Sequence, residues 1–379
     1  MVPGSNFDSA SALARHRLDR TCGSNINIHN RPHGTTLTHI SGSGVRYTMW
    51  ETVAGVSVFV VVATSVIMVA FGIVYRRRCG RAATTNDLKG QTVVITGASA
   101  GIGKEAVRDF AHRGARVIMG CRNLQKASKV ANEIEASTGN KSVVVRELDT
   151  SSLTSVRRFA SRILAEEHRL DVLVLNAGIG GTAERVLTLE NLELTMATNH
   201  FGHFLLANLL LGLLKKSQPS RVIVVASMIH SQLKTLDIEN LNFTKSGTFW
   251  STRAYSQSKA CNILFARHLA MLVKDCGIAV NSMCPGMVAT EIFKKSSGFI
   301  EGYLYRFMVP ILGKTPEQGA QTIIHLAVSE EAATITNAFF EDCQVSDNAT
   351  NLVLDDGLAK KLWEASEAYV HLQPEEVHY

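Results

Sequence analysis

Hydrophobic residues form short, nearly unbroken runs from residue 92 onward, and these runs alternate with amphipathic stretches. Unbroken apolar runs are typical of strands buried on both faces, and their alternation with helices predicts parallel strands. Helices are predicted at about 124–137, 151–167 and 190–216, and from about Tyr255 to 275. The pattern predicts an α/β fold with one doubly wound parallel sheet. The predicted strands are Thr92–Thr96, Arg116–Cys121, Ser142–Asp149, Asp171–Gly178, Arg221–Ser227 and Ile278–Gly286.

A longer apolar stretch, Thr52–Tyr75, precedes this region and contains no charged residue. At about 1.5 Å per residue, a helix of this length exceeds the hydrocarbon core of a bilayer, about 30 Å thick. It lacks the polar face of an ordinary buried helix, so it predicts a transmembrane anchor. The basic run Arg76–Arg81 follows, and the positive-inside rule then places the C-terminal bulk in the cytosol.

Composition distinguishes three further regions of the chain. Residues 1–51 are mostly polar and predict a disordered tail, 76–91 a basic linker, and 92–379 a single catalytic domain. Met49 lies just before the span and could be an alternative start, in which case residues 1–48 are dispensable.

Charge and cysteine spacing argue against two classes of binding site. The net charge of +6 on 379 residues is mild, and the sequence has no basic stripe of the kind that binds nucleic acid. The seven cysteines form no CxxC pair, and no histidine spacing suggests a metal site.

A glycine-rich loop, Thr96–Gly103, follows the first predicted strand and opens the first helix of that region. Glycines in such a loop permit a tight turn and a close approach of backbone to a ligand, and a pyrophosphate can bind at the helix N-terminus. An ordinary strand-to-helix turn is the alternative. The strand and helix on either side favour a dinucleotide site in a Rossmann-like sheet. Its candidate residues are Gly97, Ser99, Gly101, Ile102 and Gly103.

The end of the second predicted strand bears on the choice of dinucleotide. An NAD site would place an acid there, whereas this chain has Arg122, and a guanidinium suits the 2′-phosphate of NADP(H). Asp149 ends the third strand. It could hydrogen-bond the adenine or could cap the following helix, and the sequence leaves both open.

Six motifs in order resemble the short-chain dehydrogenase/reductase family over roughly 88–345. They are "TGASAGIG", "NAG" (Asn176–Gly178), "NHFGHF" (Asn199–Phe204), "VVAS" ending at Ser227, "YSQSK", and "PGMVAT" (Pro285–Thr290). "NHFGHFLLANLLL", "AYSQSKACNILFARHLA" and "TPEQGAQT" look most like the membrane-anchored retinol dehydrogenase branch. The endoplasmic reticulum is the membrane we expect.

The resemblance implies a catalytic tetrad of Asn199, Ser227, Tyr255 and Lys259. Ser227 lies farther before Tyr255 than in many family members, so Ser231 remains a minor competitor for its role. The resemblance implies that Asn199 bends its helix and holds a water that relays protons to Lys259. Further expected cofactor contacts are Asn176, Tyr255, Lys259, Val288 and Thr290.

Tyr255 and Lys259 are one helical turn apart, so both side chains reach one face. A neighbouring cation stabilises a phenolate, which lets a tyrosine exchange a proton with the oxygen that gains or loses hydride. Lys259 could also hydrogen-bond the nicotinamide ribose, and the Ser227 hydroxyl would polarise the substrate oxygen. Asn176 is expected to order its loop rather than to contact substrate.

We therefore expect an NADP(H)-dependent oxidoreductase that acts on a lipophilic carbonyl/alcohol pair, with retinal/retinol as the favourite by resemblance alone. The apolar segment Phe299–Gly313 could be a lid that meets the bilayer or an ordinary core helix. An NAD-dependent steroid or lipid alcohol dehydrogenase, and a non-catalytic membrane adaptor with the same fold, are the rival hypotheses. A homodimer stays open.

Overall fold

The structure is a computed structural model that describes residues 49–289 and 309–379. Predictions for residues 1–48, for Thr290 and for most of the segment 299–313 fall outside the described residues. Contacts divide the chain into two units, residues 1–64 and 65–379. The six cysteines in the described ranges are free thiols.

The N-terminal helix of the described chain, α1, runs over Met49–Arg77. Its apolar side chains are mostly exposed, and its mean hydropathy reaches 2.6. Within the described ranges it is the one helix long and apolar enough to cross a membrane. It continues past the predicted boundary at Tyr75, so Arg76 and Arg77 form its last turn.

Eight strands form one sheet in the order β3-β2-β1-β4-β5-β6-β7-β8, and all pair in parallel except β8, which is antiparallel to β7. The predicted doubly wound α/β fold is confirmed. The strands are β1 Thr92–Thr96, β2 Arg116–Cys121, β3 Val143–Glu147, β4 Val172–Leu175, β5 Ser220–Val225, β6 Ile278–Cys284, β7 Phe339–Glu341 and β8 Gln344–Val345.

Nine further α-helices lie wholly within the described ranges: α2 Gly101–His112, α3 Leu124–Thr138, α4 Leu153–Glu166, α5 Leu194–Met196, α6 Gly202–Lys216, α7 Ser251–Leu272, α8 Pro316–Val328, α9 Glu330–Ala333 and α10 Asp356–Val370. Residues 309–312 are also helical. One long helix was predicted over 190–216. The structure instead divides this stretch into α5, a π-helical turn over Ala197–Phe201, and α6.

Two apolar layers enclose the sheet. Helices α4, α6, α7 and α10 pack on one face, and α2, α3 and α8 pack on the other. Several helices begin where a side chain accepts a backbone N–H: Asn123 caps α3, Ser152 caps α4, and Thr315 forms a capping box with Gln318 at α8. Because both faces are covered, the carboxyl ends of the strands remain as the place for a site.

Gly202 lies where α6 approaches the chain after β3. A Cβ there would lie 2.8 Å from the Thr150 carbonyl carbon and closer still to its oxygen, whereas a Cβ at Gly212 would meet the His378 ring at an ordinary 3.5 Å. We expect Gly202→Ala to lower the free energy of unfolding by about 2 kcal/mol or more, because backbone must move.

Gly212→Ala is the matched control in the same helix. Alanine improves helix propensity, so this variant should be unchanged or more stable by up to about 1 kcal/mol. Thermal unfolding of the purified full-length variants measures both. Equal midpoints for the two variants would contradict the close contact at Gly202.

Candidate active site

The loop between β1 and α2 forms one wall of a cleft at the carboxyl ends of the strands. Gly97 and Gly101 have φ angles of +69° and +56°, which favour glycine. A Cβ at Gly97 would lie 2.7 Å from the Ala177 Cα, and one at Gly103 would lie 2.7 Å from the Gly97 carbonyl oxygen. Helix α2 begins after Ala100 without a side-chain cap. These features leave backbone N–H groups and open space of the kind that a diphosphate requires.

Asn176, which follows β4, fastens this loop. Its side-chain nitrogen donates to the carbonyl oxygens of Thr96 at 2.8 Å and Gly97 at 3.2 Å. It also lines the cleft. The contacts therefore place Asn176 in the loop-ordering position that the sequence suggested.

Arg122 lies at the far end of the cleft, directly after β2. Its side chain is 62% exposed, and Nη1 lies 4.0 Å from Oδ2 of Asp149. Oδ1 of Asp149 accepts from the backbone N–H and the hydroxyl of Ser151, at 3.0 and 2.6 Å. Asp149 thus orders the turn before α4 and also lines the cleft, although the N-cap of α4 is Ser152. Lys126 adds a second cation to the same lining.

Tyr255 and Lys259 lie on α7 and line the opposite part of the cleft. Lys259 Nζ is 5.9 Å from the centroid of the Tyr255 ring and donates to the Val225 carbonyl oxygen at 3.0 Å. The side chain of Lys259 is buried, and burial lowers its pKa to about 8. The lysine is therefore mainly charged at pH 7.

Ser227 follows β5 and also lines the cleft. Its Oγ accepts from the Ile229 N–H at 3.3 Å, at the start of a 3₁₀ helix over Met228–Gln232. Ser231 is exposed, donates to the Met228 carbonyl oxygen, and lies outside the cleft lining. Despite the long insert before Tyr255, Ser227, and not Ser231, lines the same cleft as the tyrosine and lysine.

Asn199 is fully buried in the π-helical turn behind these residues. Its amide nitrogen donates to the Ile179 carbonyl oxygen at 3.0 Å and to Ser258 Oγ at 2.9 Å, and its Oδ1 accepts from the Ile179 N–H at 2.9 Å. A Cβ on Gly178 would meet Asn199 Oδ1 at 3.2 Å and Lys259 Nζ at 3.7 Å, so both groups adjoin that glycine. The water relay through Asn199 stays a prediction.

The loop after β6 closes this side of the cleft. Pro285, Gly286 and Val288 line it, and Val288 pairs with Lys314 in a parallel bridge. Thr290, the next expected cofactor contact, is not among the described residues. The cleft has a volume of about 690 Å³ and includes every other predicted cofactor residue: Gly97, Ser99, Gly101, Ile102, Gly103, Arg122, Asp149, Asn176, Tyr255, Lys259 and Val288.

Comparison with known proteins decides the family. The protein-family model described as short chain dehydrogenase matches residues 91–236 and 244–299 of this chain. The chain belongs to the short-chain dehydrogenase family. This family uses a nicotinamide cofactor, and the glycine loop, the open start of α2 and the cleft volume fit one.

Relatives of this short-chain dehydrogenase cover most of the chain. Retinol dehydrogenase 11 of Homo sapiens is 41% identical over 76% of the chain and 88% of its own length. Dehydrogenase/reductase SDR family member 13 of Bos taurus is 38% identical over 76% of each chain. A crystal structure of an uncharacterized protein from Mycobacterium paratuberculosis has a TM-score of 0.61 at 30% identity and covers 77% of this chain and 98% of that one.

His203 lies behind the cleft of this short-chain dehydrogenase and is fully buried, with both ring nitrogens hydrogen-bonded. Thr96 Oγ1 accepts from the backbone N–H groups of Asn176 and Ala177, both at 2.9 Å, so its own proton is directed to His203 Nε2 at 2.9 Å. Nδ1 of His203 then donates to the Asn199 carbonyl oxygen at 3.0 Å. The imidazole links the end of β1 to the turn that carries Asn199, and the i, i+4 spacing in "NHFGHF" was its one signal.

The buried imidazole of His203 should make stability depend on pH. Burial lowers its pKa to about 3, from about 6.5 in the unfolded chain. The unfolded state therefore binds more protons between these values, so stability falls as the pH drops below about 6.5, by up to about 1.4 kcal/mol per pH unit for this group. His203→Gln should lessen the loss of unfolding free energy between pH 6.5 and 5.

The test compares the slope of stability against pH in the parent protein with the slope in His203→Gln. Denaturant unfolding at several pH values measures the slopes. Parallel slopes for the parent and His203→Gln would contradict a neutral buried imidazole.

Proposed function

We propose that this short-chain dehydrogenase is a membrane-anchored, NADP(H)-dependent oxidoreductase that interconverts a lipophilic carbonyl and its alcohol, with retinal/retinol as the preferred pair. The observation that carries the proposal is the convergence of Ser227, Tyr255 and Lys259 in one cleft with the glycine loop. The oxidoreductase class follows from the family, whereas the cofactor form and the substrate are the proposed part.

Three side chains in the cleft have separate roles in the proposed reaction. The cofactor supplies or accepts a hydride when it is bound. Tyr255 Oη donates a proton to the developing alkoxide in reduction and accepts it in oxidation. Lys259, mainly charged at pH 7, stabilises the phenolate form of Tyr255. The Ser227 hydroxyl donates to the substrate oxygen where negative charge develops.

The electrostatics at the other end of the cleft support NADP(H). Arg122 and Lys126 line the cleft where an adenosine ribose would lie, and a guanidinium binds a phosphate through charge-assisted hydrogen bonds. Asp149 is the nearby acid, but one of its oxygens is already engaged with Ser151. A 2′-phosphate therefore has better partners here than a 2′-hydroxyl.

The substrate and the location rest on the relatives and on α1. The human relative is named a retinol dehydrogenase, which supports a retinoid substrate, whereas the Bos taurus relative's name specifies none.

Helix α1 supports the proposed location. It is a 29-residue apolar helix that ends in Arg76 and Arg77, which supports an anchor with the catalytic domain in the cytosol, and we propose the endoplasmic reticulum as its membrane. We keep the division into an anchor at 52–75, a linker at 76–91 and a domain at 92–379 as a proposal.

Tyr255→Phe removes the proposed proton donor while keeping the ring. We expect turnover to fall by about 10² to 10⁴-fold, since this is the contribution of a positioned acid or base. NADPH oxidation with retinal, followed at 340 nm on the full-length protein, measures this loss, and thermal unfolding checks that the fold persists. A variant that turned over at the parental rate would favour a different proton donor, whereas a parent protein without any turnover would favour the non-catalytic adaptor.

Arg122→Ala tests the cofactor form. Losing one charge-assisted hydrogen bond costs about 1.5–3 kcal/mol, so kcat/KM with NADPH should fall about 10- to 100-fold while kcat/KM with NADH stays nearly constant. Arg162→Ala removes an arginine that is paired with Glu166 on α4 and should change neither value. Higher activity with NADH than with NADPH in the parent protein would support the NAD-dependent steroid or lipid alcohol dehydrogenase instead.

A further inference from the structure

The C-terminal end of α1 contacts the loop that closes the cleft after β6. Tyr75 Oη accepts a hydrogen bond from the Met287 N–H at 3.2 Å. A Cβ on Gly286 would lie 2.7 Å from that hydroxyl, so glycine is required for the approach. Pro285, Gly286 and Val288 are the neighbours of Met287 that line the cleft. The end of the anchor helix is therefore one residue away from the cleft wall.

Arg76 holds a second stretch of chain at the same place. Its guanidinium donates to the carbonyl oxygens of Gly313 at 2.7 Å, Ile311 at 3.0 Å and, with the same nitrogen, Pro310. Its own carbonyl oxygen accepts from the Gln318 side chain at 3.1 Å. One arginine thus binds three carbonyl groups at and just after the helical residues 309–312, where the last carbonyl groups of a helix have no partner inside it. Lysine could not match this fork of donors.

Backbone bonds join these two stretches to each other. The Lys314 N–H donates to the Met287 carbonyl oxygen at 2.8 Å, and the Ala289 N–H donates to the Lys314 carbonyl oxygen at 3.0 Å. The buried Lys314 ammonium lies 5.6 Å from the Tyr75 ring centroid and donates to the Pro285 carbonyl oxygen and to Asp342. Residues 285–289 and 309–314 therefore form one small unit, and α1 contacts it from one side.

We propose that Tyr75 and Arg76 are positioning residues of the active site, which hold the cleft wall at 285–288 in place for the nicotinamide end of the cofactor. The inference rests on the proposed function, because it assigns this wall to the nicotinamide. The anchor helix then has two roles, attachment to the membrane and support of the cleft. Removal of residues before 82 would discard both.

The strand order gives the inference a specific consequence. Arg122 follows β2 and Pro285 follows β6, and these strands are four places apart in the sheet, or about 19 Å at about 4.8 Å per strand. A change at Arg76 should disturb the wall near Pro285 and leave the Arg122 end intact. NADPH spans both ends, whereas adenosine 2′,5′-bisphosphate reaches only the Arg122 end.

The experiment compares Arg76→Gln with Arg77→Gln in the full-length protein in nanodiscs. Both variants lose one positive charge at the end of α1, but the Arg77 side chain is exposed. We expect Arg76→Gln to weaken NADPH binding about tenfold, because the cofactor must then order a wall that the arginine no longer holds. Adenosine 2′,5′-bisphosphate binding should be unchanged. Arg77→Gln should match the parent with both ligands.

Hydrogen exchange supplies a readout that needs neither cofactor nor turnover. In Arg76→Gln, peptides covering 285–289 and 309–318 should exchange faster, while the peptide covering β1 should exchange as in the parent. Tyr75→Phe, which removes only a hydroxyl, should accelerate exchange at 285–289. It replaces Arg76→Gln as the test variant if Arg76→Gln does not fold.

The results distinguish a failure of the positioning role of Tyr75 and Arg76 from a failure of the proposed cofactor assignment. Unchanged exchange in both Arg76→Gln and Tyr75→Phe, or equal loss of affinity for both ligands, would overturn the positioning role. Faster exchange confined to these peptides in a protein that binds no NADPH would support the contact while overturning the proposed cofactor.

Discussion

The site depends on one topological constraint, the reversal of strand order between β1 and β4. The chain builds β1, β2 and β3 outward in one direction and β4, β5 and β6 outward in the other. Connections from adjacent β1 and β4 therefore leave to opposite sides, and a crevice opens at their carboxyl ends. The glycine loop and Asn176 meet at this point, and Ser227 and Pro285 follow along the same edge. Residues distant in the chain share one cleft because parallel strands all end at that edge.

A buried cation and a closed set of polar contacts support the chemistry of this cleft. Burial lowers the pKa of Lys259, and its ammonium has the Val225 carbonyl oxygen as an acceptor beside the Tyr255 ring. Behind it, the Asn199 side chain is held by Ile179 and Ser258. A buried group of this kind stays in one orientation because each donor and acceptor has a partner, which is the preorganisation that transition-state stabilisation requires.

Hydrogen bonds from the end of α1 also hold the cleft wall at 285–288 in one arrangement. A tether needs only length and apolar character, and an unattached basic linker would have met that need. Instead, the last turn of α1 donates to several carbonyl groups and accepts the Met287 N–H. These bonds satisfy backbone groups at the end of the helical residues 309–312 and in the loop after β6, where unpaired groups would be costly. The end of this apolar helix and the cleft wall at 285–288 are therefore linked through a few residues.

The sequence by itself determined the α/β class, the limits of β1 and β2, and the apolar span, because these follow from local burial patterns. The resemblance singled out Ser227, Tyr255 and Lys259, which line one cleft in the structure, and their catalytic roles stay a prediction. The sequence could not predict β7 and β8, three and two residues long, since their pairing and not their periodicity makes them strands. Nor could it predict that the chain at Asn199, where a bend was expected, forms a π-helical turn. The link through His203 and the contacts of Arg76 with residues more than two hundred positions away were equally beyond it. Those features depend on which distant groups satisfy one another's hydrogen bonds once the chain is folded, and only the tertiary structure decides that.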